Sequence, residues 1–392
     1  MKHAPALLDP LQVAALLIEL GKEARLQRFE VAPNPCVGAA LLAGGEVIGR
    51  GVHRWFGGPH AEIEALRAAG ARAAAADTLV VTLEPCSSHG KTPPCVDAIA
   101  ASGISRVYVG ALDPDPRHRG RGIELLRERG LEVELVDGTA PLDEVAPHFL
   151  HWTDNERLRR PRPWTIAKWA QTRTGQLIPP ADVGEGRWIS SHASLEEVAV
   201  LRSRVDAIVT GVGTVVADDP RMTVRPPGDV SRPPVRVVLD SRLRTPPTAR
   251  ILNQVRTHSE GGGRTVLLCV GGADASRHHA LLDAGAEIHE LHVATDDGVD
   301  LRDVQRYLWE DLGARRVLLE AGPVLTSHYI SHGFVDQVRV YTGSVNGGRG
   351  PNLGPELLRL KLSERLDREV GPDAVFEAFV DAQRTSHLRS FH

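Results

Sequence analysis

Val81-Thr82-Leu83-Glu84-Pro85-Cys86-Ser87-Ser88-His89-Gly90-Lys91-Thr92-Pro93-Pro94-Cys95 is the stretch around which the first third of this chain is organised, and Pro59-His60-Ala61-Glu62 upstream completes it. Together they offer one imidazole, two thiols, and a carboxylate two residues from the imidazole. This donor set suits Zn²⁺: two soft thiolates and a borderline nitrogen, with the fourth tetrahedral position left to water. His60, Cys86 and Cys95 are the expected metal ligands. A bound metal brings the pKa of its water toward neutrality. Glu62 stands where it can carry protons to and from that water, which makes it the expected catalytic acid and base. A lone His-x-Glu is usually surface, and two cysteines are usually buried thiols. A Pro-Cys after an apolar strand, with a second Cys and an upstream His-Ala-Glu, is a much rarer coincidence.

Outward from this core, Thr78–Leu83 reads as a strand that delivers Cys86 to a loop. His60–Gly70 and Cys95–Ser102 read as helices that present their ligands at the N-terminus, where the helix dipole helps to hold a thiolate. Leu11–Arg28 has helical periodicity. Pro33-Asn34-Pro35 fixes an extended turn that can present Asn34. Gly38–Leu42 and Glu46–Val52 form a hairpin pattern across Ala43-Gly44-Gly45. Arg106–Ala111 is a further strand, followed by the rigid turn Asp113-Pro114-Asp115-Pro116. Strands alternating with helices predict an α/β layer with its chemistry at strand ends. Lys91, between two ligands, is either a solvated loop residue or a substrate contact.

At 392 residues, the chain has room for two or three domains. Hydrophobic content of 42% and a net charge of −4 describe an ordinary globular protein. No basic or aromatic-and-basic stripe marks a nucleic-acid groove. No run approaches the roughly 18 apolar residues that cross a bilayer. The N-terminus has no secretory pattern: Val13–Leu20 is short, contains Glu19, and reads as an amphipathic helix. Four cysteines are too few for a disulfide scaffold, so a cytoplasmic protein is expected. Cys36 and Cys269 read as packing residues.

Charge and proline mark a boundary at Asp154–Pro163. The expected organisation is a zinc domain at 1–147, a linker at 148–163 and a second α/β domain at 164–392. The second half shows strands starting at Trp164 and at Ala207–Gly211, Val235–Leu239, Thr265–Val270, Arg315–Leu319 and Gln337–Tyr341, with a helix at Asp303–Leu312. Thr210-Gly211-Val212-Gly213-Thr214 and Glu320-Ala321-Gly322-Pro323 each follow a strand, where glycine lets backbone amides approach a phosphate. A Gly-x-Gly alone is more often a tight turn. The acids and arginines of Ala217–Arg225 suit a solvated turn or a grip on a phosphorylated ligand.

His-x-Glu with a downstream Pro-Cys is the signature of zinc nucleobase deaminases. Here the second pair is spaced C-x8-C. With Pro33-Asn34-Pro35-x-Val37-Gly38, Glu84-Pro85-Cys86-Ser87, Gly90-Lys91-Thr92-Pro93-Pro94-Cys95, Asp113-Pro114-x-Pro116 and Gly120-Arg121-Gly122, the first half resembles the bifunctional riboflavin-biosynthesis family. The second half carries the resemblance in Trp188-Ile189, Thr214, Ala217-Asp218-Asp219-Pro220, Thr223-x-Arg225, Leu239-Asp240-Ser241 and Glu320-Ala321-Gly322-Pro323. It implies a cytidine-deaminase-like three-layer α/β/α domain followed by a dihydrofolate-reductase-like α/β domain, with Zn²⁺ and NADPH as cofactors. The implied activity is hydrolytic deamination of a diaminopyrimidinone ribosyl phosphate, then reduction of its ribosyl group to ribityl. The substrate would contact Asn34, Lys91, Asp113, Lys168, Arg202, Met222, Arg225 and Glu320. NADPH would contact Ala170, Trp188, Thr214, Asp218, Ser241 and the run Gly322, Pro323, Val324, Leu325, Thr326, Ser327 and His328. A homo-oligomer, dimer or tetramer, is also implied.

The chain departs from the family pattern at four places. Ala32 precedes Pro-Asn-Pro where the family usually has His, and Ser88 follows Cys-Ser where it usually has another His. The Ser-Leu-Asp-Gly motif of the reductase is Thr172-Arg173-Thr174-Gly175, and Thr342-Gly343-Ser344-Val345-Asn346-Gly347-Gly348 replaces a proline-lysine-leucine segment. The residues therefore leave three other readings open. One is a deaminase whose second half only binds; another is a paralogue for a different phosphoribosylated heterocycle. The third is a regulatory binding protein, which would have no use for Glu62.

Overall fold

A computed structural model of the chain describes residues 8–88, 93–136, 145–150, 162–181, 189–224, 233–252, 262–272, 274–292, 294–295 and 298–381. The chain divides into two units, Met1–Arg160 and Pro161–His392.

In the first unit the expected hairpin forms from β1 (Gly38–Ala43) and β2 (Glu46–Val52). It turns through Gly44 and Gly45, both at positive φ, a conformation that costs glycine little. With β3 (Thr78–Val81), β4 (Arg106–Val109) and β5 (Glu132–Leu135) these strands make a five-stranded sheet in the order β2-β1-β3-β4-β5. β1 is antiparallel to both neighbours, and β3, β4 and β5 run parallel. Side chains alternate faces along a strand, and here both faces are apolar. Ala39, Leu41, Leu79, Val81, Val107 and Val109 pack against α3 (Ala61–Ala69), α4 (Cys95–Ala101) and α5 (Arg121–Glu128). Ala40, Leu42, Val80 and Tyr108 pack against Val13, Leu17 and Leu20 of α1 (Pro10–Arg25). The result is the three-layer α/β/α arrangement. Asp9 caps α1 through the amide of Leu11. The helix ends at Arg25, short of the expected Arg28, and a single turn, α2 (Arg28–Val31), follows.

One contact sets the height of α3 above the sheet. A Cβ on Gly51 would lie 2.3 Å from both the carbonyl oxygen of Ala61 and the amide nitrogen of Ala65, and one on Gly49 would lie 2.5 Å from the carbonyl of Ala65. Only glycine lets the helix backbone rest directly on β2. His60 and Glu62 sit on the first turn of that helix.

The second unit is built on a nine-stranded sheet. Its strands are β6 (Trp164–Gln171), β7 (Ala207–Gly211), β8 (Val235–Leu239), β9 (Thr265–Val270), β10 (Glu287–Leu291), β13 (Arg316–Leu319), β14 (Gln337–Thr342), β15 (Leu362–Val370) and β16 (Asp373–Val380). β11 (Ala294–Thr295) and β12 (Gly298–Val299) form a separate two-stranded ribbon. The order is β10-β9-β8-β7-β13-β6-β14-β16-β15, parallel from β10 through β14 and antiparallel at β16 and β15. This is the expected dihydrofolate-reductase-like α/β layer. The helices are α6 (His192–Ser203), α7 (Val212–Asp218), α8 (Ala275–Asp283), α9 (Leu301–Glu310), α10 (Pro323–Ser331) and α11 (Gly354–Arg359). Ala167, Trp169, Val209, Val317, Leu319 and Val338 bury one sheet face under Val304 and Leu308 of α9 and Tyr329 of α10. On the other face Val198 of α6 packs on Tyr341 and Val375.

Some boundaries move. α9 starts two residues before the expected Asp303, because Asp300 caps the amide of Arg302. The strand pairing at β15 has no counterpart in the sequence reading: Leu-Ser-Glu-Arg-Leu-Asp-Arg-Glu-Val is an edge strand dominated by charge. The span expected as a linker, 148–163, is held at both described ends. His148 is buried, with Nε2 against the carbonyl oxygen of Asn34 at 2.9 Å, and Arg162 forms a bidentate pair with Asp336 at 2.7 Å. Among the described residues no helix is long and apolar enough to cross a membrane.

The close approach at Gly51 is directly testable. Gly51→Ala drives a methyl into helix backbone, and overpacking of this kind costs about 1–3 kcal/mol. The expected outcome is a lower thermal midpoint together with less zinc per chain, read by calorimetry and metal analysis. A variant with unchanged midpoint and zinc content would show that α3 can lift without consequence.

Candidate active sites

The two motifs of the first unit converge as their spacing predicts. His60 is the N-cap of α3, Cys95 is the first residue of α4, and Cys86 sits on the loop after β3. Nδ1 of His60 lies 3.4 Å from Cys86 Sγ and 3.3 Å from Cys95 Sγ, and the three donor atoms are all within 4.8 Å of one another. The backbone amide of Cys95 donates to Cys86 Sγ at 3.2 Å. One imidazole nitrogen and two thiols in a space of this size fit a zinc ion. A hydrogen bond between the two thiols pulls Cys86 down against its burial and pushes Cys95 up. Glu62 is 3% exposed, and burial pushes its carboxyl up against the opposing charge of His60.

Two residues to which the sequence reading gave no role hold this site. His53, 3% exposed, places Nδ1 2.9 Å from the carbonyl oxygen of Pro59 and Nε2 3.2 Å from the Asn34 amide, and its ring stands edge-on to His60 at 5.3 Å. This pattern assigns the ring proton to Nδ1 and turns Nε2 toward the amide of Asn34. Glu84 accepts the backbone amides of Asp113 at 3.1 Å and of Gly120 and Gly122 at 2.8 Å each, so it ties the Asp113 turn to the loop carrying Cys86. Burial pushes the Asp113 carboxyl up. Glu84 stood in the quoted motif, but nothing in a linear motif identifies three amides from a distant loop as its partners. His53 carried no signal at all.

In the second unit, the described residues gather along the C-terminal edge of the parallel strands, the usual ligand edge of such sheets. Glu320, one residue past β13, accepts Arg202 Nε at 2.6 Å and Nη2 at 2.9 Å, and Lys168 Nζ lies 3.4 Å from the same carboxylate. Arg202 also donates to the carbonyl oxygen of Thr223 at 3.1 Å. Burial alone would push the Glu320 carboxyl up, but the two cations outweigh it and hold the group at about 2. Lys168 is pushed down by burial despite that partner. Nearby in the fold, Thr214 Oγ1 accepts the amide of Gly322 at 3.1 Å, joining α7 to the N-cap of α10. Both helices are entered through glycine, Gly211 and Gly322, and a Cβ on Gly213 would meet nothing within 4 Å. Two helix N-termini entered through glycine fit the phosphates of a dinucleotide.

Comparison with known proteins agrees with both halves. Residues 14–111 match the cytidine and deoxycytidylate deaminase zinc-binding region, and residues 163–376 match the RibD C-terminal domain. The riboflavin biosynthesis protein RibD of Aquifex aeolicus is 34% identical over 350 residues, spanning 88% of this chain and 91% of its own length. The chain belongs to the RibD family. The RibD of Escherichia coli K12 is 32% identical over 381 residues, covering 90% of this chain and 95% of that protein. Among solved structures, Acinetobacter baumannii RibD superposes with a TM-score of 0.65 at 27% identity, covering 95% of this chain and 99% of that one. The Thermotoga maritima diaminohydroxyphosphoribosylaminopyrimidine deaminase/5-amino-6-(5-phosphoribosylamino)uracil reductase gives 0.63 at 27% identity, covering 94% and 99%. As a RibD, the chain is a riboflavin-biosynthesis deaminase and reductase with a zinc-binding deaminase region.

The remaining residues that the resemblance implied as contacts distribute unevenly. Lys91, Trp188 and Arg225 lie outside the described residues. Met222 is buried at positive φ beside Thr223, Ala170 packs in the Tyr341 cluster, and Asp218 ends α7. Ser241 Oγ accepts the amide of Val299 at 3.2 Å. Along α10, Pro323 opens the first turn, Val324 is exposed and Leu325 packs on the core. Thr326 donates to the carbonyl of Ala321 at 3.3 Å, while Ser327 donates to Glu356 of α11 at 3.0 Å and His328 lends its carbonyl to His332. The unusual turn Thr172–Gly175 is satisfied by the other unusual segment. The amide of Arg173 donates to the Val345 carbonyl at 2.8 Å, and Thr174 Oγ1 donates to the Gly347 carbonyl at 3.1 Å.

Glu320→Gln leaves the half-buried Lys168 and Arg202 beside a neutral partner, a loss of up to about 3 kcal/mol, measurable by denaturant unfolding. Its acid behaviour follows from the depressed carboxyl. The folded value near 2 lies below the ordinary 4.5, so this pairing stabilises the fold fully above pH 4.5 and is lost as pH falls toward 2. The variant should lack that contribution to the acid limb; an unchanged slope over this window would rule it out.

Proposed function

We propose that the chain performs two consecutive steps on one phosphoribosylated pyrimidine: hydrolytic removal of an amino group, then reduction of the ribosyl carbon to give a ribityl chain. The observation that carries the first step is a single imidazole nitrogen facing two thiols, with the buried Glu62 on the same helical turn. The substrate class follows the Thermotoga relative, whose name gives a diaminopyrimidine deaminase and a ribosylaminouracil reductase.

Zinc, when bound, supplies Lewis acidity and a water ready to deprotonate near neutral pH. His60, Cys86 and Cys95 hold it. Glu62 takes a proton from the attacking water and returns it to the departing nitrogen, so that a carbon–oxygen bond forms, a carbon–nitrogen bond breaks and ammonia leaves. A carboxyl pushed up by burial is suited to holding that proton. Asn34, fixed by His53, and Asp113, fixed through Glu84, position the ring, and Lys91 meets the phosphate.

For the second step NADPH, when bound, would supply a hydride to the sugar carbon of the ring-opened imine, and a proton from solvent would complete the amine at its nitrogen. Thr214, Asp218, Ser241, Ala170, Trp188 and Gly322–His328 bind NADPH. Lys168, Arg202, Arg225, Met222 and Glu320 hold the substrate, with Glu320 fixing the two cations in one geometry. We also place the protein in the cytoplasm as a homo-oligomer of two or four copies, with the deaminase at 1–147, a linker at 148–163 and the reductase at 164–392.

The test is a coupled assay on zinc-loaded protein supplied with the diaminopyrimidinone ribosyl phosphate. Ammonia should appear without NADPH, and NADPH should be oxidised only after deamination. Glu62→Gln should keep its zinc and lose about 10²–10⁴-fold in ammonia release. Ammonia release without NADPH oxidation would overturn the reductase half; neither signal with zinc bound would overturn the substrate.

A further inference from the structure

Among the described residues, Lys168 shares its one carboxylate partner, Glu320, with Arg202. The described groups facing it are Glu320, Arg202 and the ring of Tyr341, whose centroid lies 5.9 Å from Nζ. The sheet register accounts for that meeting. Lys168 on β6 pairs with Arg339 on β14, and Tyr341 is two residues farther along β14, hence on the same face. Tyr341 is fully buried and packs against Val198 of α6 and Val375 of β16.

The ring is itself locked. Tyr341 Oη donates to Glu197 Oε1 at 2.6 Å, and Arg368 grips both oxygens of Glu197 at 2.6 Å each. Arg339 reaches Glu197 at 3.6 Å and is anchored by Glu377, which also takes Gln337 at 2.6 Å. Glu197 lies on α6, the helix that carries Arg202. One clamp therefore orients the aromatic face beneath Lys168 and ties down the helix bearing the other cation of the pair. The apolar contacts of Tyr341 would be met as well by leucine. A phenol under an ammonium, with its hydroxyl fixed by a charged network, is a more specific provision.

We propose that Tyr341 is a positioning residue for the reductase step, holding the Lys168 ammonium against substrate through the face of its ring. The inference rests on the reductase reading given above. A ring face attracts a cation through its quadrupole, and fluorine withdraws that negative face with little change of size. The experiment replaces Tyr341 with phenylalanine and then with mono-, di- and trifluorophenylalanine in the full-length, zinc-loaded enzyme. The reductase kcat should fall stepwise along the fluorinated series, by about tenfold from first to last. KM for NADPH, ammonia release and the thermal midpoint should stay level. A flat kcat across the series, with the wild type active, would overturn the positioning role alone. A wild type that releases ammonia but oxidises no NADPH would overturn the reductase reading and this inference together. A fall in kcat matched by a falling thermal midpoint would mark Tyr341 as a packing residue and overturn the proposal.

Discussion

The metal site of the first unit depends on a helix lying against bare backbone. At Gly49 and Gly51 there is no side chain between β2 and α3, and no room for one. The histidine ligand and the catalytic carboxylate of the deaminase half are referred to that contact. His60 caps the helix, Glu62 follows within its first turn, and His53 comes off the end of β2 to hold the chain just before His60. The other two ligands come from the loop after β3 and from the start of α4, so the site is assembled where three elements end. The sheet fixes all three, because α3 and α4 share one apolar cluster with it.

The second unit solves a different problem, that of keeping two cations indoors. Arg202 and Lys168 face one carboxylate, and burial works against both. Glu320 stays ionised because two positive neighbours overcome its desolvation. The remainder of the balance is spread over neighbouring strands. Glu377 of β16 and Glu197 of α6 neutralise Arg339 of β14 and Arg368 of β15. An isolated pair there would suffer from desolvation, while a network with every oxygen engaged holds its geometry.

What could be read in the sequence follows from how local each signal is. The zinc ligands and Glu62 lie in two short motifs, each on a strand–loop–helix junction, and helix N-termini are legible from their first few residues. The inner parallel strands were legible because they are buried on both faces and read as apolar runs, whereas the half-exposed parallel edge strands β5 and β10 were not read. β15 was not, since an edge strand carries charge for solubility. The supporting residues were the least visible. His53, Glu84, Glu197 and Tyr341 act on partners 6 to 171 positions away in the chain, and no spacing rule spans that range. The strand-end glycines marked a nucleotide edge only weakly until the sheet order placed β7, β8 and β13 side by side.

The turn Thr172–Gly175 and the segment 343–348 are the two places where the reductase half leaves its family's pattern, and they are each other's partners. The hydroxyl of Thr174 and the amide of Arg173 are both satisfied by carbonyls of that segment, and Ile178 bridges to Arg349 just beyond it. They constitute a single exchangeable part. Restoring the family's aspartate to the turn alone would set a carboxylate against the carbonyl of Gly347, so a chimaera that swaps one segment inherits a mismatch. An exchange of the turn with that of a relative therefore calls for exchange of the loop with it.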